Sequence, residues 1–214
     1  MILDYLFFKQ DICHICKEVE EDNYICPECL SKLEFLDGDF SISKGRVFYP
    51  LFYNNMIKSV IKRFKFERET HLVKPLALIL YEYVKKHDQL IDVDYLTYVS
   101  MDSKSLFERG YNQAQLICQD LALYMDKEVV SLVEKTKKTK EQNKSDISER
   151  KTNLESSYRP IKGLDIKGKK ILLVDDLVTT GSTMEVVADA ILSEYDVDLR
   201  FLTLTSSRIG DEDD

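Results

Sequence analysis

Residues 171–183, Ile-Leu-Leu-Val-Asp-Asp-Leu-Val-Thr-Thr-Gly-Ser-Thr, constrain the fold more than any other stretch of the chain. The apolar run Ile171–Val174 suits a strand buried on both faces, as found inside parallel sheets. It ends on two adjacent carboxylates, Asp175 and Asp176, at the edge where parallel sheets bind ligands. The tight loop Thr179–Thr183 then opens a helix. Free amides at a helix N-terminus, with hydroxyls on Thr179, Thr180, Ser182 and Thr183, form a phosphate cradle. Gly181 permits the sharp turn and a close backbone approach. The carboxylates cannot face that phosphate and suit sugar hydroxyls instead. Acid pair and cradle together specify a ribose 5-phosphate.

The surrounding pattern agrees with a parallel sheet. After Asp94 the chain reads strand (Tyr95–Val99), helix (Asn112 to about Met125), strand (Val129–Val133), loop, strand (Ile171–Val174), helix (Ser182 to about Glu194) and strand (Val197–Thr205). That alternation predicts an α/β fold, a parallel sheet flanked by helices. Cys118 lies beside the inward stripe of the first of these helices and reads as a core thiol. Upstream, the pattern is helical from Leu51, with Phe52, Met56, Val60 and Phe64 four residues apart. Lys58, Lys62 and Lys65 make an opposite basic row, read as a solvated face. A second helix is expected from about Thr70 to Lys86, with Pro75 tolerable only near its first turn.

Four of the five cysteines form Cys13-x2-Cys16-x9-Cys26-x2-Cys29. Two such turns can present four thiolates to one tetrahedral ion, and their softness favours zinc. With four protein ligands there is no open position for chemistry, so the zinc is expected to be structural. His14 is then either solvated or a support to the ligands. The expected organisation is a zinc knuckle or ribbon over 1–40 and a second domain over 41–214. Within the latter, 41–90 is a helical lead-in and 134–157 a flexible loop.

A net charge of −8 seems to disfavour anionic ligands, but it is unevenly spread. Residues 1–40 carry 3 basic and 10 acidic side chains, residues 41–170 carry 25 and 17, and residues 171–214 carry 2 and 11. The basic middle includes Lys135, Lys137, Lys138, Lys140, Lys144, Arg150 and Lys151, suited to closing over anions. No apolar run approaches the roughly 18 residues needed to span a bilayer, and the N-terminus lacks the features of an export signal. A cytoplasmic protein without disulfides or membrane insertion is expected. Gly163-x4-Gly168-Lys169 imitates a P-loop but precedes a strand, and Lys170 stands where Ser or Thr should be.

The segment 171–183 resembles, at all thirteen positions, the phosphoribosyl pyrophosphate (PRPP) motif of type I phosphoribosyltransferases. Glu108-Arg109-Gly110-Tyr111-Asn112-Gln113-Ala114 is similar to the Glu-Arg-Gly-Phe-Asn-Gln-Ala signature of the ComF/GntX family. Thr139-x2-Gln142 and Arg150-x2-Asn153-x4-Tyr158 match that family's Thr-x2-Gln and Arg-x2-Asn-x4-Phe spacing, and the four-cysteine module belongs to the same architecture. The resemblance implies that Asp175 and Asp176 hold the ribose hydroxyls as the catalytic acid pair. Thr179, Thr180, Gly181, Ser182 and Thr183 would hold the 5-phosphate, and Mg²⁺ would accompany the pyrophosphate. Where the family has Val-Pro-x-His-Pro, this chain has Val99-Ser-Met-Asp-Ser103. Asp102 thus places negative charge where the family has an imidazole near pyrophosphate.

Candidates for the leaving pyrophosphate are Lys104, Arg109, Lys137 and Lys140; Gln142 and Arg150 are further site candidates on the flexible loop. The resemblance also implies natural transformation, incoming single-stranded DNA and a ComFA-type helicase partner. Three functions follow: a phosphoribosyltransferase-like protein of competence, an inactive scaffold binding single-stranded DNA and the helicase, or a metabolic phosphoribosyltransferase with an unknown acceptor. Tyr49, Phe52, Tyr53, Phe64 and Phe66, lying among Lys and Arg, could stack on bases, although their periodicity favours core positions.

Overall fold

The computed structural model describes residues 12–136 and 157–207. In chain order the elements are α1 (Pro27–Ser31), β1 (Phe35–Ile42), β2 (Gly45–Phe52), α2 (Asn55–Phe66), a 3-10 turn (Thr70–Leu72), α3 (Val73–Val84), α4 (Asp88–Ile91), β3 (Tyr95–Tyr98), α5 (Ser103–Arg109), α6 (Gln113–Met125), β4 (Glu128–Val129), β5 (Val133–Lys135), β6 (Tyr158–Pro160), β7 (Lys170–Val178), α7 (Ser182–Leu192) and β8 (Asp198–Ser206). Six strands form one sheet in the order β1-β2-β8-β7-β3-β4. All its neighbours run parallel except the β1–β2 pair.

β7 lies inside the sheet and is apolar on both faces for the reason its sequence gives. Leu172 and Val174 pack with α2, α3 and α6, through Ile57, Phe64, Leu76, Leu80, Ile117 and Leu121. Ile171 and Leu173 pack on the other side with Met184, Val187 and Ile191 of α7. Cys118 is fully buried, as expected, and lies 3.5 Å from the Thr97 carbonyl. Pro75 falls in the first turn of α3, where its missing N–H costs no helical bond. No helix among the described residues is long and apolar enough to cross a membrane.

Three expectations need correction. Leu51 and Phe52 end a strand, and the stretch expected to be a helical lead-in begins as the β1–β2 hairpin. Val47, Tyr49 and Leu51 alternate along β2, but Phe48 is also buried, and its parallel partner β8 lies about 150 positions away. The strand expected over Val129–Val133 is divided. Val129 pairs with Leu96 in the main sheet, whereas Val133–Lys135 pairs antiparallel with Tyr158–Pro160 in a separate ribbon. β7 itself runs past the apolar run to Val178, so both acids lie within the strand.

The cysteine segment packs against the same core as α2 and α3. Arg63 of α2 donates to the Ile15 carbonyl at 2.8 Å and forks onto Glu69, which also pairs with Lys17 at 2.8 Å. His14 is buried, and its Nδ1 lies 2.8 Å from the His71 carbonyl. It therefore ties the cysteine segment to the 3-10 turn and is not solvated.

Candidate functional site

The backbone places Asp175 and Asp176 on opposite faces of β7, since side chains alternate along a strand. Asp176 continues the face of Leu172 and Val174, which α2 covers. There the Lys65 ammonium meets Asp176 Oδ2 at 2.8 Å. Asp175 continues the face of Ile171 and Leu173, and its Oδ1 accepts the Asp176 amide at 2.9 Å. The two acids converge on one cavity of about 180 Å³, which Lys65, Ser100, Asp102, Arg109, Lys135, Tyr158 and Thr183 also line.

Lys65 is the residue that the sequence reading missed. Its spacing with Lys58 and Lys62 suggested a solvated face, yet its side chain is 19% exposed and turned into the site. The signature around Arg109 explains how it is held. Gly110, at φ 85°, closes α5 in the left-handed conformation. Asn112 caps α6 by accepting the Gln115 amide and donates to the Val99 carbonyl at the end of β3. Tyr111 donates to the carbonyl of Phe64, the residue before Lys65. Arg109 is oriented by Gln113 Oε1 at 3.0 Å and by the ring of Phe66, 5.0 Å beneath its guanidinium.

The turn after β7 has the predicted form. Gly181 has φ 86° and is the N-cap of α7, so the cap residue has no side chain to offer; the Ser182 amide donates to Thr180 Oγ1 at 3.3 Å. A Cβ there would meet Ile42 Cγ2 at 2.9 Å, so both backbone angle and hairpin packing require glycine. The hairpin is fastened over α7 by the Ser43 amide donating to Glu185 and by a Lys44–Asp189 ion pair. Thr180 Oγ1 and Ser182 Oγ lie 2.9 Å apart. Thr183 lines the cavity, while Thr179 and Thr180 are exposed beside it.

Lys104 does not line the cavity; it is exposed and lies 3.7 Å from Glu108. Asp102, which stands in the imidazole position, is the cap of α5 and accepts the amide and hydroxyl of Ser105 at 2.9 and 2.8 Å. The Ser105 amide is the main reason its carboxyl is held below the ordinary range. Lys137, Lys140, Gln142 and Arg150 lie outside the described residues, as does most of the loop expected over 134–157. The strands leading to and from them, β5 and β6, reach the cavity through Lys135 and Tyr158. The P-loop-like lysine, Lys169, pairs with Asp94 at the other end of β7.

The four cysteines converge, with Sγ atoms all within 4.8 Å of one another. A tetrahedral ion with Zn–S bonds of ~2.3 Å needs sulfurs about 3.8 Å apart, and Cys16 and Cys26 lie at 3.9 Å. Burial works against ionisation of Cys13, but the amides of Cys26, Cys16 and Ile15 bring its thiol down to about 7. The donor set fits a soft divalent metal.

Burial first, and then the Asp176 carboxylate, push the carboxyl of Asp175 up to about 8. An unfolded aspartate titrates near ~3.9. An acid with a raised folded pKa costs the native state nothing below its unfolded pKa. The cost grows as pH rises and is complete above the folded pKa. Asp175→Asn keeps an oxygen for the Asp176 amide and removes that cost. It should therefore stabilise the ligand-free protein little below pH 3 and by up to about 5 kcal/mol above pH 8. Urea unfolding at several pH values checks this; a gain that does not vary with pH would contradict the assignment.

The Phosphoribosyl transferase domain family matches residues 110–214. The chain is 28% identical over 195 residues to DNA utilization protein YhgH of Escherichia coli K12, covering 85% of this chain and 84% of that one. It is 26% identical to Competence protein F of Haemophilus influenzae, over 84% of this chain and 83% of the relative. With Competence protein ComFC of Bacillus subtilis the identity is 23%, over 86% and 72% respectively. A crystal structure of adenine phosphoribosyltransferase aligns with a TM-score of 0.48 at 14% identity, over 85% of this chain and 89% of that chain.

Proposed function

We propose that this homologue of the ComF-type competence proteins, a chain carrying a phosphoribosyl transferase domain, binds PRPP and acts on incoming single-stranded DNA in natural competence. The observation that carries the reading is the convergence of Asp175 and Asp176 with three cations, Lys65, Arg109 and Lys135, in one cavity. That cavity lies beside the N-terminus of α7, whose Thr183 lines it. The acids would accept the ribose hydroxyls, and the Thr179–Thr183 turn would receive the 5-phosphate.

Such a site supports displacement at C1 of the ribose. The C1–O bond to pyrophosphate breaks, pyrophosphate leaves with the electron pair, and an acceptor nucleophile forms the new bond to C1. Lys135 and Arg109 offset charge on the leaving group, while the carboxylates favour positive charge developing on the ring. Mg²⁺ bound with pyrophosphate would supply further neutralisation, and Asp102 is the lining carboxylate that fits a hard cation. Lys65 holds the Asp176 carboxylate in place at 2.8 Å.

A titration of Mg–PRPP into the wild type and into Asp175→Asn/Asp176→Asn tests the reading. Saturable binding to the wild type, weakened at least tenfold in the double variant, is expected. Absence of wild-type binding would refute it.

Support for DNA comes from aromatic side chains near the site. Tyr49 and Phe64 are buried, but Phe66 is 63% exposed with Arg109 stacked on it, and Phe107 of α5 is 87% exposed. Exposed rings beside cations suit stacking on unpaired bases, worth ~1–3 kcal/mol per base. Affinity for an oligothymidylate should fall steeply with salt and drop in Phe66→Ala. A salt-independent or absent interaction would sink the DNA reading.

Zinc is the ion we assign to Cys13, Cys16, Cys26 and Cys29. One equivalent of zinc by metal analysis is expected, with a marked loss of thermal stability on chelation. A metal-free preparation of undiminished stability would overturn that assignment.

A further inference from the structure

Tyr158 ends the Arg150-x2-Asn153-x4-Tyr158 spacing. The residue lies on β6 directly across from Lys135 of β5. It is 6% exposed and lines the cavity beside Ser100, Asp102 and Asp175. Among the described residues the hydroxyl has no hydrogen-bond partner. An unpaired buried hydroxyl costs about 1–3 kcal/mol, and phenylalanine would fill the same volume without that cost.

The neighbouring groups are engaged. Asp102 accepts from Ser105, Ser100 donates to the Val133 carbonyl at 2.5 Å, and Asp176 holds Lys65. Burial, followed by the charges of Asp175 and Asp102, raises the phenol above its ordinary range, so it remains a donor. The Lys135 ammonium lies 5.3 Å from the centre of its ring. A donor and a cation therefore stand together at one end of the cavity. Ribose on the acids, with its 5-phosphate in the Thr179–Thr183 turn, would leave Lys135 and Tyr158 of the same lining for the substituent on C1.

We propose that the Tyr158 hydroxyl donates a hydrogen bond to a pyrophosphate oxygen of bound PRPP, alongside Lys135, and makes this chain selective for the pyrophosphate end of its ligand. The proposal rests on the PRPP reading above. Tyr158→Phe tests it by calorimetric titration with Mg–PRPP, Mg–pyrophosphate and ribose 5-phosphate. PRPP and pyrophosphate affinities should fall about tenfold, as for a hydrogen bond to a charged group. Ribose 5-phosphate affinity should stay within twofold, and the melting temperature of the ligand-free variant should hold or rise. Unchanged pyrophosphate affinity, an equal loss for ribose 5-phosphate, or a drop in melting temperature without any binding change would overturn the proposal. Failure of the wild type to bind PRPP and ribose 5-phosphate at all would instead overturn the PRPP reading.

Discussion

Two carboxylates in succession on a buried strand repel each other and lose hydration, and the fold around them is arranged to meet that cost. Asp176 is met by the Lys65 ammonium at 2.8 Å. Among the described residues Asp175 has no such partner, and burial drives its carboxyl toward the protonated form. The two acids are thus unequal, one paired and the other disfavoured as an anion. A ligand that brings hydroxyl donors to Asp175 relieves what the protein leaves unmet. Binding energy and apo-state instability share one origin in such a site.

The signature at 108–114 contains the residues that build this arrangement. Gly110 turns the chain, Asn112 joins the start of α6 to the end of β3, and Tyr111 holds the backbone just before Lys65. Arg109, Asn112, Gln113 and Ala114 also line the cavity. Much of the motif positions a lysine that is distant in sequence and belongs to no motif.

The readable parts of the site were local ones. The strand, acids, turn and helix of 171–183 are contiguous, so period, turn chemistry and capping could all be read from thirteen residues. The cysteines announced themselves by doubled spacing. Lys65 was hidden because its partner is 111 positions away, and a lysine opposite an apolar stripe looks the same whether it meets water or a carboxylate. The β1–β2 hairpin was obscured because β2 is buried at every position from Val47 to Leu51 and shows no period of two. Arg46 pairs with Asp39 across the strands, and Lys44 reaches Asp189 on α7. Tyr158 was legible as a position in a spacing, but the meaning of its hydroxyl required the cavity.

The last turn of α2 makes three attachments in three consecutive residues. Arg63 holds the cysteine segment through the Ile15 carbonyl, Phe64 offers its carbonyl to Tyr111, and Lys65 enters the site. A helix advances about 100° per residue. One residue inserted or deleted between Asn54 and Arg63 would swing each group away from its target. The helix is therefore a gauge whose length is set to the residue.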